Sequence, residues 1–247
     1  MFQQLFSLLP ERLGVIGLIV SGVGASLAIV LWLVGGRISR SMLTLTAVGL
    51  GTVLGMKLPL WCGWSVDGMG PAVGGAVILG VSAYAWHRFW VGASLGMLLA
   101  VWSALALWTA IAPGQSWYWP SSQLLLPQYL AELWRGLPGG LPRFLPVCAA
   151  AALAMGFGAV IWKPKIAIAV FWSFAGTSML LGFGAALVNH SRPELLDSFP
   201  TQLLIQCAIL VGMTAFGVAF QWKSLPTPKP TGAKDGKEKE VESRRKG

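Results

Sequence analysis

Residues 13–61 read LGVIGLIVSGVGASLAIVLWLVGGRISRSMLTLTAVGLGTVLGMKLPLW, two apolar stretches joined by a Gly35-Gly36-Arg37 turn that carries basic residues and no acid. Each stretch supplies the roughly 20 mostly apolar residues that a helix needs to cross about 30 Å of hydrocarbon. In lipid a spanning segment must satisfy its own backbone hydrogen bonds, which a helix does and an open strand does not. The pattern predicts a helical membrane hairpin with Arg37 and Arg40 at its bend.

Reading outward, the same layout returns twice, around His87-Arg88 and around Lys163-Pro164-Lys165. Seven apolar spans result, at approximately residues 13–34, 41–61, 70–86, 89–111, 145–162, 166–188 and 203–222. The expected fold is an all-α integral membrane protein. Its seven transmembrane helices form three helical hairpins plus a seventh helix, in a domain covering residues 1–223 with an outer loop at 112–144.

Composition agrees, with 55% hydrophobic residues, 11% charged residues and thirteen Trp; a soluble domain carries about 25% charged residues. The net charge of +9 is not a nucleic-acid signature, because the basic residues sit in short turns between spans and in the final segment. Anionic lipid at the cytoplasmic face is the expected counter-charge, and no nucleic-acid partner is expected.

Orientation follows from the positive-inside rule. One side holds thirteen Lys and Arg, namely Arg37, Arg40, Arg88, Lys163, Lys165 and eight in the segment from Lys223 onward; the other holds five, offset by Glu11, Asp67, Glu132, Glu194 and Asp197. The N-terminus is expected outside and the C-terminus in the cytoplasm. The N-terminal stretch lacks a basic region ahead of an apolar core too long for a signal peptide, so the first span is expected to stay. A plasma or bacterial inner membrane is the expected location.

Small residues recur on the second member of each hairpin: Gly51 and Gly55, Gly92 and Gly96, and Gly176 with Gly182 and Gly184. A four-residue spacing puts two glycines on one helical face, where neighbouring backbones approach closely. Tight helix packing is the expected role; internal repeats also underlie many transporters, so the symmetry alone leaves both open.

These features together resemble the seven-helix domain shared by transmembrane protein 198 and seven-transmembrane superfamily member 3. The resemblance covers roughly residues 13–223. It rests on the Gly35-Gly36-Arg37 turn followed by Gly51, on Arg88 followed by Gly92 and Gly96, on Trp162-Lys163-Pro164, and on Gly217-Val218-Ala219-Phe220-Gln221-Trp222-Lys223. It implies a seven-helix membrane domain with an outside N-terminus and no catalytic set; animal members are associated with scaffolding of receptor signalling. This chain differs from them in its short tail.

Reactive constellations are sparse. Gly92-Ala93-Ser94-Leu95-Gly96 fits the G-x-S-x-G pattern, yet a nucleophile elbow needs a strand-to-helix turn and partners in the form of a His and an acid. Here the pattern lies inside an apolar helix, with His87 seven residues upstream and His190 expected on the opposite side. Intramembrane hydrolysis is thus a remote alternative. Cys62, Cys148 and Cys207 are isolated in sequence, which does not make a metal site, although all three fall near outer span ends where a disulfide is open to them. No cofactor is expected.

Span cores hold no Asp or Glu, which argues against proton-coupled transport, and Lys57 sits where its stem can snorkel outward. Asn189 and Gln206, near the outer ends of spans six and seven, either bond a neighbouring helix or line a cavity entrance. The outer loop, with Trp117, Tyr118, Trp119 and several Leu, suits an interfacial helix around 127–137, with a lid as the alternative. The tail at 224–247, with Pro226, Pro228, Pro230 and mixed Lys and Glu, is expected to be disordered and cytoplasmic.

Two functions remain. A scaffold or assembly partner, joined to another protein or to further copies of itself, expects a dry, Gly-packed centre. A channel or carrier for a small solute or ion expects Thr44, Thr52, Ser94, Ser173, Thr177 and Gln206 to converge on a wet cavity.

Overall fold

The computed structural model describes residues 14–112, 126–137, 139–192, 194–200 and 202–224. The expected interfacial aromatics Trp117, Tyr118 and Trp119 and the expected tail at 225–247 lie outside the described residues. The elements are α1 (Val15–Val34), α2 (Ser39–Cys62), α3 (Met69–Ala85), α4 (His87–Ile111), α5 (Leu126–Arg135), α6 (Leu141–Trp162), α7 (Pro164–Ser191), the short α8 (Glu194–Asp197) and α9 (Leu203–Ser224). There is no strand among the described residues.

Six helices, all but α3, α5 and α8, are long and apolar enough to cross a membrane; α3, with 17 residues, is shorter. The chain is an all-helical, multipass integral membrane protein. Its surface carries the expected inversion: Leu204 is 84% exposed and Ile161 83%, residues that water would not tolerate in such numbers and that lipid solvates.

Local chemistry sets the helix ends. Pro164 opens α7, where a missing N–H costs nothing, and Gly63 takes the left-handed φ of 67° that ends α2. Only Trp86 separates α3 from α4.

The helices on either side of a basic turn are not the main packing pairs, which corrects the hairpin expectation. Instead α2 packs along α3, α4 along α6, and α1 along α7, which also receives α9. The reason is surface shape. Gly51 and Gly55 of α2 lie against the backbone of Gly75 and Pro71 of α3, so a methyl on either would run into a carbonyl oxygen. Gly92 and Gly96 of α4 lie against Phe157 and Leu153 of α6, and a Cβ added to Gly156 of α6 would run into Gly92 O and stand 2.6 Å from Gly96 N. In lipid, close approach of small residues decides which helices pair, and a short connection alone does not.

At the centre stands α7, 44% of whose apolar window is buried against 17–28% in the other five long helices. Gly176 on it receives Trp32 of α1, 2.8 Å from where a Cβ would sit. At Gly182 and Gly184, the small residues that follow it, an added Cβ would meet nothing within 4 Å. The core around α7 gathers Leu31, Val91, Leu95, Trp102, Phe171 and Trp172 from α1, α4 and α7 itself. A smaller cluster of Trp108, Ala112 and Leu141, joined by Leu137, ties the C-terminal end of α4 to the start of α6 just after α5. That helix, Leu126–Arg135, occupies the segment expected to be helical around 127–137.

Candidate functional site

Two polar clusters gather at the helix ends beside the turn after α1 and the junction of α3 with α4. Gln221, 1% exposed near the end of α9, is the keystone of the first turn. Its Oε1 accepts the Gly36 N–H at 3.1 Å, and its Nε2 donates to Leu31 O at 3.1 Å and Trp32 O at 2.8 Å. One amide thereby holds the last turn of α1 and the bend after it to α9. A turn earlier, Trp32 donates its indole N–H to Met213 O at 3.1 Å and stacks on Phe216 with ring centres 5.5 Å apart.

A second group joins α2, α4 and α7. Trp172 donates Nε1–H to Ser39 Oγ at 2.6 Å, and Ser39 Oγ lies 3.0 Å from His87 Nε2, with donor and acceptor set by the imidazole tautomer. Beside them Arg40 donates Nε–H and Nη2–H to Tyr84 O, at 3.2 and 3.0 Å, and its guanidinium stands 3.8 Å from the Tyr84 ring centre. The Tyr84 carbonyl belongs to the last turn of α3, where a helix has no backbone donor left to offer.

Next to this clamp opens a cavity of about 630 Å³, lined by Arg40, Ala85, Trp86, His87, Arg88 and Phe89. Two guanidinium groups and the exposed indole of Trp86 give it the chemistry of an anion-accepting, membrane-interface site. Arg37, Lys163 and Lys165 do not line it; Lys163 instead stands 5.6 Å from the Trp162 ring centre.

The Ser39–His87 pair has the spacing of a nucleophile and its base. Ser39, however, is 4% exposed and one of its lone pairs is held by Trp172, so a substrate carbonyl has no approach to it. The Ser94 of the G-x-S-x-G pattern lies within α4, seven residues beyond His87, with Gly92 and Gly96 closed against α6.

Residues considered for a solute path do not converge. Thr44 and Thr52 return their hydroxyl protons to Arg40 O and Val48 O of their own helix. Gln206, 1% exposed, donates to Pro200 O at 2.7 Å and so anchors the start of α9; neither it nor Asn189 lines the basic cavity or the cleft described below. Ser173 and Thr177 are fully buried on α7, with hydroxyl groups that have no hydrogen-bond partner among the described residues. Ser173 Oγ lies 2.9 Å from the position of a Cβ on Gly217, so the seam there is closed.

A second concavity, an apolar cleft of about 820 Å³, runs between α4, α7 and α9. Cys207 sits in it, and all three cysteines are unpaired. No group of three or more His, Cys, Asp or Glu is placed to hold a metal among the described residues.

Sequence reading reached Gln221 only as part of a closing motif, and it did not reach the Ser39–Trp172 bond at all. A lone Gln flanked by Phe220 and Trp222 in an apolar helix was the available signal, because an amide in lipid needs a partner. Comparison with protein-family models, with curated proteins and with solved structures found no match to this chain.

Proposed function

We propose that this chain is a non-catalytic membrane scaffold or assembly partner of the transmembrane protein 198-like kind, anchored through its basic face to anionic lipid of the cytoplasmic leaflet. The observation that carries the reading is the closed seam at the centre: Ser173 and Thr177 are fully buried, Ser173 beside Trp32 at Gly217, while Thr44 and Thr52 are bonded to their own helix. A carrier or channel needs polar groups turned toward a shared wet path. The inaccessible Ser39 favours a clamp over a nucleophile.

In this reading α3 is a seventh span, which keeps the three basic turns on one side. Supporting it, Gly68 at the start of α3 lies beside Met56 near the far end of α2, while Tyr84 at its end meets Arg40 at the near end. A helix that accompanies a spanning neighbour over such a length crosses with it, and 17 residues reach about 25 Å. The N-terminus is then outside, and Arg40 and Arg88 face the cytoplasmic headgroups.

A crosslinked pull-down from native membranes, comparing the full chain with one truncated after Lys223, tests the scaffold. A stoichiometric protein partner is expected with the full chain, lost on truncation if the tail carries the contact. No partner with either form, together with solute flux in liposomes, would replace the scaffold with a carrier. Labelling of Cys62 by an impermeant maleimide from the outside only is the expected result for the seven-span orientation.

A further inference from the structure

We infer that the cleft between α4, α7 and α9 is a built-in binding site for one anionic glycerophospholipid of the cytoplasmic leaflet, its acyl chain lying along α9 and its phosphate at Lys223.

The lining of α9 follows one helical face from Cys207 through Val211 and Ala215 to Lys223. Those 16 steps cover about 24 Å at 1.5 Å per residue, more than the roughly 15 Å of hydrocarbon in one leaflet. The opposite walls come from Leu99, Trp102 and Ala106 of α4 and Phe174 of α7. Ala215 and Ala219 present small side chains along α9 there, and Trp102 and Phe174, packed at 6.3 Å, form part of the facing wall. At about 820 Å³ it is within the size range of sites that enclose a ligand, and it opens sideways to lipid.

Two of its polar groups are already occupied. Trp102 donates to Ser178 Oγ at 2.7 Å and Thr214 donates to Leu210 O at 2.8 Å, which leaves Ser103 and Cys207 as the polar side chains of an otherwise apolar wall. Lys223 is the one charged residue among those lining the cleft, and it sits beside Trp222 at the end of α9 that Gln221 ties to the basic turn at Gly36. An apolar trough ending in an ammonium group and an indole matches an acyl chain ending in an anionic headgroup.

A transmembrane helix from a second copy fits less well. Glycine makes the close backbone contacts between α2 and α3 and between α4 and α6, as at Gly51 with Gly75 and Gly92 with Gly156. No glycine lines the cleft.

The test uses the full chain in vesicles of zwitterionic phosphatidylcholine containing a small fraction of phosphatidylglycerol with a photoreactive diazirine in its acyl chain, and maps the adducts by mass spectrometry. Adducts are expected to concentrate on Val211, Ala215, Ala219 and Ala106, several-fold above those on the lipid-facing residues Leu50 and Val53 of α2. Lys223→Ala is expected to lower the cleft yield about fivefold, the worth of one basic residue at an anionic surface, while a photoreactive phosphatidylcholine remains at its lower, unchanged yield. Ala215→Trp, or Ala106→Leu should the first variant fail to fold, is expected to abolish the cleft adducts and leave those on α2 intact. Adducts spread evenly over all exposed faces, equal yields from the two lipids, or a disulfide between Cys207 of two copies would each overturn the proposal.

Discussion

The α2–α3 pair and the α1–α7–α9 group solve the same problem by different physics. In lipid no hydrophobic effect pushes helices together, so association rests on close packing and on hydrogen bonds. The α2–α3 pair uses shape along its length, with glycine facing glycine at Gly51 and Gly75, and adds the Arg40 bonds to Tyr84 O only at one end. The α1–α7–α9 group sets a large ring over a glycine, Trp32 against Gly176 and Gly217, and then bolts the assembly with Gln221. The first seam tolerates no added atom. The second depends on a few polar atoms whose loss leaves the rings in place.

The largest effect that separates them is expected at Gly55. Gly55→Ala drives a methyl into Pro71 O, a backbone atom that cannot swing away. The expected cost is about 1–3 kcal/mol, as for other overpacked sites, read as a lower unfolding midpoint in mixed micelles. Gly49→Ala, one helical face away where nothing lies within 4 Å, is expected to stay within about 0.5 kcal/mol of the parent. Equal effects at the two positions would remove the distinction between a packed and a lipid-facing glycine.

Gln221→Leu comes next. It keeps the bulk but orphans the Gly36 N–H and strips a donor from Leu31 O and Trp32 O. A loss of about 1–2 kcal/mol is expected, with hydrogen exchange at Gly36 rising before exchange in α2 and α3. Global loosening would show that the two regions are not separable.

Trp172→Phe preserves the ring contact with Phe171, 4.8 Å between centres, and removes the N–H bond to Ser39. About 0.6 kcal/mol is the expected cost, typical of one interhelical hydrogen bond in lipid. Thr177→Val has the smallest expected effect and the opposite sign. It replaces a buried hydroxyl with no partner among the described residues by a methyl of the same shape, so stability should rise by about 0.5 kcal/mol. Destabilisation there would give the hydroxyl a bonded role and reopen the carrier reading.

Six helices long and apolar enough for a membrane could be read along the chain, because length and hydropathy are local properties, and the four-residue spacing of Gly51 with Gly55 and of Gly92 with Gly96 marks a shared face in the same local way. At Gly182 and Gly184, two apart on α7, an added Cβ would meet nothing within 4 Å, so a small residue in a helix does not by itself name a packing partner. Which helices pair was beyond that reading. The short turns suggested hairpins, whereas complementary faces set α2 on α3 and α4 on α6, across the connections on the other side.

The polar site was less legible still. Ser39, His87 and Trp172 stand 48 and 133 positions apart in the bonds they make, and Gln221 reaches back 190 residues to Leu31. No periodicity in a sequence encodes a single bond between distant turns. That the chain enters the membrane as apolar helices follows from composition and order alone, since each helix answers to the bilayer by itself. The choice of neighbours, the clamp at Ser39, the closed seam around Ser173 and Thr177 and the open cleft along α9 required the helices in place, because each is a property of two or three surfaces meeting.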